Sequence, residues 1–219
     1  MSYITIEGNI GAGKSTLVRI LKDNLKIDTI KNIGFIQEPV DEWLKMTDEN
    51  GKNILDNFYE NQKLWAYKFQ MNAFITRLQR LQKYLPKHKF CISERHITSD
   101  KNCFAKQLYE DKKISEIEWK LYNNWFDWVS KNELYRKPKG IIYLRASPET
   151  CSERINKRNR TEENSIPLEY LQKINKKHED WLLKKENVLV LDANKDFEVN
   201  YNYKKEVIEK IVDFINQCN

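Results

Sequence analysis

The eight residues GNIGAGKS, from Gly8 to Ser15, constrain this chain more than any other stretch. They match the pattern G-x-x-x-x-G-K-[ST], and they lie between a β-rich run (3–8) and a stretch with apolar residues at helical spacing (15–25). Here glycines let backbone N–H groups surround phosphate oxygens, and the helix N-terminus adds partial positive charge. The motif predicts a nucleoside triphosphate site formed by Gly8, Asn9, Ile10, Gly11, Ala12, Gly13, Lys14, Ser15 and Thr16.

Two residues of this motif are expected to act directly on the phosphates. Lys14 can bridge the β- and γ-phosphates, and Ser15 can ligate Mg²⁺. The acceptor of the phosphoryl group, or whether water is the acceptor, is not defined by the motif itself.

Strand-like runs alternate with helical stretches along the whole chain. The longest helical pattern extends from Ile54 to Leu85, and no repeat or low-complexity linker interrupts the sequence. This alternation predicts one α/β domain over residues 1–219 with a P-loop kinase fold, in which helices cover both faces of a five-stranded parallel sheet. Ligands bind beyond the carboxyl ends of the strands in such sheets. The predicted strands are 3–8, 33–40, 89–95, 140–146 and 188–193.

Composition narrows the class of protein further. The net charge of +6 is spread along the chain, so it is only a weak indication of nucleic-acid binding, and we expect no nucleic-acid partner. Four cysteines lie far apart without a C-x-x-C pair, which argues against a zinc site and favours a reducing compartment. No apolar run approaches the roughly 20 residues of a membrane span, and the first residues enter a strand at once. We therefore expect a cytoplasmic protein without a targeting segment or a membrane partner.

Acidic and basic residues follow the second and third predicted strands. Glu38, in EPVDEW, could accept the proton of a hydroxyl that attacks the γ-phosphate, although a solvated loop glutamate is the simpler interpretation. Glu94 and Arg95, in SERHITSD, could hold Mg²⁺ and neutralise charge at the transferred group, or they could form an ordinary surface ion pair.

Eight motifs in order resemble the deoxynucleoside kinase family over nearly the whole chain, most closely its deoxycytidine and deoxyguanosine kinase branch. One departure is His96, where the family usually has serine, which leaves the hydrogen bonding near Arg95 undecided. The motifs are IEGNIGAGKST, EPVDEW, NILDNFYENQKLWAYKFQ, SERHITSD, EWKLYNNWFDW, GIIYLRASPETCSERINKRNR, IPLEYLQKINKKHEDWL and LDANKDF.

The resemblance implies roles that the residues alone would not indicate. It makes Glu38 the base for the 5′-hydroxyl, with Arg95 beside it and with Lys14 as the third catalytic residue. Taken alone, Tyr59 and Gln70 would be predicted to have core or surface roles. In the family's pattern, Tyr59 and Glu163 bind the sugar 3′-hydroxyl, Gln70 reads the base edge, Phe69 and Phe104 sandwich the base, and Trp43 forms a wall of the pocket.

Base preference follows from two charged positions. Arg77 lies two helical turns beyond Gln70, on the same face. Arg77 and Asp100 match a charged wall of the deoxycytidine and deoxyguanosine branch, where an arginine would crowd the 5-methyl group of thymine. Ala73 leaves space beside the base. The resemblance thus implies that deoxycytidine, deoxyadenosine or deoxyguanosine is preferred over thymidine.

The arginine-rich stretch RINKRNR matches the family's lid, at about 154–166. Arg154 and Arg158 share one helical face, and their forked donors suit phosphate better than lysines do. We interpret Lys157 and Glu153 as solvated. The residues expected at the donor are Arg154, Arg158 and Arg160 of the lid and Asp196 and Phe197 of the last loop, and those expected at the metal are Ser15 and Glu94.

The leading hypothesis is a nucleotide-salvage kinase that transfers the γ-phosphate of ATP, or of another nucleoside triphosphate, to a deoxynucleoside with Mg²⁺. The alternatives are a thymidylate kinase-like enzyme and a non-kinase P-loop module that uses ATP as a switch. Trp119, Trp125 and Trp128 carry more aromatic surface than a monomer comfortably exposes, and the family resemblance implies a homodimer there. The simpler alternative is that these tryptophans pack the domain's own core.

Overall fold

The computed structural model describes residues 2–25, 32–132, 136–158 and 166–218. Its sheet has five strands in the order β2-β3-β1-β4-β5, and every neighbouring pair is parallel, as predicted. All five carboxyl ends therefore meet at one edge. The strands are β1 (Ser2–Gly8), β2 (Ile33–Ile36), β3 (Phe90–Glu94), β4 (Gly140–Arg145) and β5 (Val188–Asp192).

The helices alternate with the strands. A π-helical segment, Asp100–Ala105, joins α5 to α6, and a short 3-10 turn, Leu85–Lys87, follows α4. The α-helices are α1 (Lys14–Asn24), α2 (Val40–Lys45), α3 (Ile54–Glu60), α4 (Gln62–Tyr84), α5 (Ile97–Ser99), α6 (Lys106–Glu110), α7 (Glu116–Ser130), α8 (Pro148–Arg158), α9 (Leu168–Leu182) and α10 (Tyr201–Cys218).

The predicted helix from Ile54 to Leu85 is wrong in one respect, because the structure divides it at Asn61. The backbone of Asn61 is not helical (φ −138°, ψ 77°), and its side-chain oxygen accepts a hydrogen bond from the backbone N–H of Leu64. Asn61 thus ends α3 and caps α4, a role that asparagine fills readily. The second strand is also shorter than predicted, since it ends at Ile36 and leaves Glu38 in the following loop.

Helices pack on both faces of the sheet, because alternate strand residues point in opposite directions. Ile4 and Ile6 of β1 pack in a core that includes Leu17 of α1 and Ile211 of α10. Tyr3, the residue before Ile4, points the other way and belongs to a cluster with Leu81 of α4 and its neighbours. The sheet is thereby covered from both sides, and its carboxyl edge is left for the site.

Two global expectations can be compared with the structure. All four cysteines are free. Across the residues that the structure describes, no helix is both long enough and apolar enough to cross a bilayer.

Candidate active site

A cleft of about 950 Å³ opens at the carboxyl edge of the sheet. Its lining combines the predicted donor and acceptor residues with neighbours from α2, α3 and α4. The predicted residues that line it are Ile10, Gly11, Gly13, Lys14, Ser15, Thr16, Glu38, Trp43, Tyr59, Phe69, Gln70, Arg77, Glu94, Arg95, Asp100, Phe104, Arg154, Arg158, Asp196 and Phe197.

The loop between β1 and α1 requires glycine for steric reasons. Gly11 has φ +79°, and a Cβ there would lie 2.5 Å from the carbonyl oxygen of Cys151. Gly13 has φ +95° and forms the N-cap of α1. Side chains would strain both positions. The loop can therefore turn tightly and present the N-terminus of α1 to the cleft, as an anion site requires.

Lys14 is buried at the floor of the cleft, although it is a cation. Its Nζ donates a hydrogen bond to the carbonyl oxygen of Asn9 at 2.7 Å. Burial and the nearby charge of Arg95 lower the pKa of Lys14 to about 8, and the carboxylates of Glu94 and Glu38 only partly oppose this shift. A bound phosphate would supply the negative charge needed to stabilise the protonated form of Lys14.

Ser15 and Glu94 meet at the mouth of the P-loop. The hydroxyl of Ser15 donates a hydrogen bond to Glu94 Oε1 at 2.8 Å, so two oxygen ligands lie side by side. Mg²⁺ prefers oxygen ligands and takes few from the protein when substrate phosphates supply others. Ser15 and Glu94 therefore fit the ligands that a Mg²⁺ ion requires from the protein.

The acceptor side is a cluster of charges in which Arg77, Arg95 and Asp100 are buried and Glu38 is partly buried. The guanidinium of Arg77 donates from one nitrogen to Glu38 and from the other to Asp100. Arg95 Nε lies 3.2 Å from the same Glu38 oxygen. Two arginines thus converge on the carboxylate of Glu38 beside the P-loop. The positions of these residues in the sequence do not predict this convergence.

This cluster controls the charge of Glu38. Burial alone would raise the pKa of Glu38, but Arg77, Arg95 and Lys14 outweigh it and lower the pKa to about 2. Glu38 is consequently ionised over the whole physiological range. Burial raises the pKa of Asp100, and the charge of Arg77 opposes that shift.

Arg95 adopts a conformation that is uncommon for a residue with a side chain. Its φ is +60°, in the left-handed region, directly after β3 ends. The guanidinium lies 4.5 Å from the centre of the Phe104 ring, a cation–π distance. His96 follows as a helix cap, because its Nδ1 accepts a hydrogen bond from the backbone N–H of Thr98 at 3.3 Å. Histidine therefore performs the capping that serine could provide at this position.

An aromatic slot adjoins the charged cluster. Trp43 packs edge-on against Phe69, with ring centres 5.3 Å apart, and its Nε1 donates to the Thr76 hydroxyl at 3.0 Å. Gln70 is only 2% exposed, and its Oε1 has no hydrogen-bond partner among the described residues. An unpartnered buried oxygen beside flat rings is suited to a planar polar ligand.

Helix α8, which contains the first part of the predicted lid, reaches the cleft near its C-terminal end. Arg154 Nη1 donates to the carbonyl oxygen of Ala193 at 2.7 Å, and Arg158 also lines the cleft. Lys157 lies at the rim of the same cleft and is exposed to solvent, as its interpretation as a solvated residue requires. Arg160 and Glu163 lie outside the described residues.

Four predicted residues lie behind the lining. Gly8, Asn9 and Ala12 shape the P-loop from inside, and Ala73 is buried in the aromatic core of α4. Sequence reasoning in turn missed several lining residues. They include Phe58, which stacks on Phe69 at 4.7 Å, Arg80, which donates to the carbonyl oxygen of Glu38 at 3.3 Å, and Tyr170. Phe58 follows the apolar spacing of α3, but nothing in the sequence separates it from an ordinary core residue.

Comparison with known proteins agrees with this geometry. A model of the deoxynucleoside kinase family matches residues 4–216. The chain belongs to that family. Human deoxycytidine kinase is 38% identical, with 97% of this chain and 90% of the relative covered. Deoxycytidine kinase 1 of Xenopus laevis is 37% identical, with 97% and 90% covered, and the mitochondrial deoxyguanosine kinase of that species is 35% identical, with 97% and 89% covered.

Family membership confirms a deoxynucleoside kinase over the two alternatives, a thymidylate kinase-like enzyme and a non-kinase P-loop module. This deoxynucleoside kinase is a transferase of nucleoside salvage, with a nucleotide as phosphate donor and a nucleoside as acceptor.

Proposed function

We propose that this kinase transfers the γ-phosphate of ATP, or of another nucleoside triphosphate, to the 5′-hydroxyl of a deoxynucleoside, with deoxycytidine, deoxyadenosine or deoxyguanosine preferred over thymidine. The observation that carries the preference is the buried Arg77–Asp100 pair at the cleft. The relatives named for deoxycytidine and deoxyguanosine support the same substrates.

Gln70 orients the base in this proposal, and Arg77 discriminates between bases. A side-chain amide presents one donor edge and one acceptor edge and can exchange them by rotation. Gln70 can therefore pair with cytosine, adenine, guanine or thymine alike. The rigid guanidinium of Arg77, held by Asp100 and Glu38, cannot withdraw from a 5-methyl group without breaking two buried ion pairs. Selectivity against thymidine thus depends on the charged pair.

The reacting groups have distinct roles. Glu38 accepts a hydrogen bond from the 5′-hydroxyl and takes its proton as the hydroxyl oxygen bonds to the γ-phosphorus. The bond from the γ-phosphorus to the β–γ bridging oxygen breaks at the same time, and the nucleoside diphosphate leaves. Arg95 fixes Glu38 and faces the transferred group. Lys14 and the P-loop N–H groups bind the donor phosphates. Arg154 and Arg158, which line the cleft, complete the clamp together with Arg160. Tyr59 and Glu163 bind the 3′-hydroxyl. Ser15 and Glu94 would hold Mg²⁺, which neutralises charge on the β- and γ-phosphates when bound.

A substrate panel tests the proposal. The measurement is kcat/KM for all four deoxynucleosides with ATP and with a second triphosphate, in the presence of Mg²⁺. We expect at least one of deoxycytidine, deoxyadenosine and deoxyguanosine to exceed thymidine by roughly tenfold or more, the usual effect of one methyl group in a close-fitting site. Thymidine as the best substrate would refute the preference and leave the kinase activity intact.

We also propose that the protein is a homodimer that associates through α7. Trp119 stacks on Tyr109 within its own chain, but four other large apolar residues of α7 are exposed at three- and four-residue steps. Such a stripe favours a helix partner. The four are Ile117 (63% exposed), Leu121 (42%), Trp125 (51%) and Trp128 (52%).

Sedimentation can test this association directly. Leu121→Glu with Trp125→Glu should convert a dimer to a monomer, because charges would replace the apolar stripe. Tyr201→Glu is the matched control, since Tyr201 is an exposed aromatic residue on a different helix. A parent protein that sediments as a monomer at micromolar concentration would contradict the proposal.

A further inference from the structure

One buried acid near the cleft has no part in the mechanism above. Glu7 lies at the end of β1, immediately before the P-loop, and its side chain is fully buried. In the parallel pairing of β1 with β3, Ile6 is opposite Glu94. Glu7 therefore lies level with Arg95, one residue beyond the pairing, where β3 gives way to the left-handed turn.

That turn is fixed at three points, and Glu7 provides one of them. The backbone N–H of Arg95 donates to the carbonyl oxygen of Ile6 at 3.0 Å, and the Ser93 hydroxyl donates to the carbonyl oxygen of Arg95 at 3.1 Å. The backbone N–H of His96 donates to Glu7 Oε1 at 2.9 Å. A left-handed residue with a side chain persists only when its surroundings over-determine it. The third bond fixes the exit of the chain from this conformation.

The carboxylate also acts on the side chain of Arg95. The Thr5 hydroxyl donates to the same Oε1 at 3.0 Å, so this oxygen is fixed in place. Burial raises the pKa of Glu7 to about 7, and the positive charge of Arg95 is the largest opposing influence. Arg95 is thus attracted by two acids, with Glu7 on its backbone side and Glu38 at its Nε.

We propose that Glu7 is a positioning residue that holds Arg95 in the conformation in which its guanidinium reaches Glu38 and the transferred phosphoryl group. The inference rests on the function proposed above for Arg95. Glu7 does not touch substrate in this scheme and acts only through the turn and through its charge.

A double-mutant cycle tests the proposal. Glu7→Gln keeps an oxygen that can accept from Thr5 and His96 but removes the charge, and Glu7→Leu removes both. We expect kcat to fall by about tenfold in Glu7→Gln and by roughly 10²-fold in Glu7→Leu, with the KM for the nucleoside little changed, because small misplacements of a reacting group have effects of this size. In an Arg95→Met background, Glu7→Gln should have almost no further effect on kcat.

Controls separate this inference from a general loss of stability and from the proposed role of Arg95. Thr5→Val removes one of the two hydrogen bonds to this carboxylate oxygen but keeps the charge of Glu7 and its bond to His96, so its kcat should fall less than that of Glu7→Gln. If Arg95→Met lowers kcat and Glu7→Gln does not, or if the two effects multiply, the positioning role is refuted. If Arg95→Met leaves kcat unchanged, the mechanism proposed for Arg95 fails first. The kcat of Glu7→Gln, in the parent and in the Arg95→Met background, is enough to distinguish these outcomes even if Glu7→Leu does not fold.

Discussion

The two ends of the cleft are built in different ways. The end that we propose for the donor is formed by one continuous loop, which lines the cleft with Ile10, Gly11 and Gly13–Thr16 and includes the buried Lys14. The acceptor end uses side chains from four separate segments, and its charges balance one another in the interior. A backbone site depends on glycine and on one helix end, whereas a side-chain site depends on every partner being present. Substitutions should therefore have local effects at the donor end and coupled effects at the acceptor end.

The largest expected effect is that of Glu38→Gln. Removing the carboxylate that accepts the proton should lower kcat by roughly 10²–10⁴, the usual contribution of a positioned acid–base group. Nucleoside binding, followed by tryptophan fluorescence or calorimetry, should be nearly intact. Because the pKa of Glu38 is lowered to about 2, protonation of this group should not affect kcat anywhere above about pH 4.

Glu42→Gln is the matched control for that experiment. Glu42 is a nearby acid on α2 that pairs with Arg80 at 2.8 Å, and its side chain is largely exposed. An unchanged kcat in Glu38→Gln, or an equal loss in Glu42→Gln, would remove Glu38 from the mechanism.

The next effect concerns coupling within the charged cluster. Arg77→Met alone leaves Asp100 and Glu38 as buried carboxylates without their shared partner. We expect the free energy of unfolding to fall by about 3–5 kcal/mol, as when one partner of a buried pair is removed. Arg77→Met with Asp100→Ala should recover part of this loss in urea unfolding, and it should raise kcat/KM for thymidine by about tenfold because the methyl group then has space.

Comparison of the single and double variants tests two points, namely whether Asp100 needs Arg77 as a partner and whether the charged pair excludes thymidine. Equal stability of both variants would mean that Asp100 needs no partner, contrary to the buried pair. A double variant that is stable yet gains no thymidine activity would show that another feature of the cleft excludes the methyl group.

The contrast between a site made from one loop and a site made from separate segments also explains which features the sequence could predict. The P-loop and the parallel sheet follow from local patterns, namely the spacing of three glycines and alternating apolar runs. The pairing of Arg77 with Asp100 was implied only by family resemblance. The second contact of Arg77, with Glu38, joins residues 39 positions apart across two elements, and no periodicity encodes it. The break at Asn61 was missed because apolar spacing continues through it, and the cap depends on one side-chain oxygen.

The smallest predicted effect tests the donor end alone. In the free protein, burial holds the pKa of Lys14 near 8, whereas the ordinary value is 10.5. Donor phosphates add negative charge and should raise this pKa again. At pH 8.5 free Lys14 would be mostly deprotonated, so donor binding should take up as much as roughly 0.7 proton. Calorimetry with a non-hydrolysable ATP analogue, in two buffers of different ionisation enthalpy, measures this uptake.

Lys14→Met provides the comparison for that uptake. It should abolish the proton uptake and leave nucleoside binding unchanged, since Lys14 belongs to the P-loop and donates a hydrogen bond to the carbonyl oxygen of Asn9 in the same loop. If the uptake persists in Lys14→Met, another group titrates on donor binding. If Lys14→Met lowers the affinity for the nucleoside as well as the proton uptake, the two ends of the cleft are coupled through the charges of Glu38 and Arg95. Substitutions at the donor end would then not have local effects only.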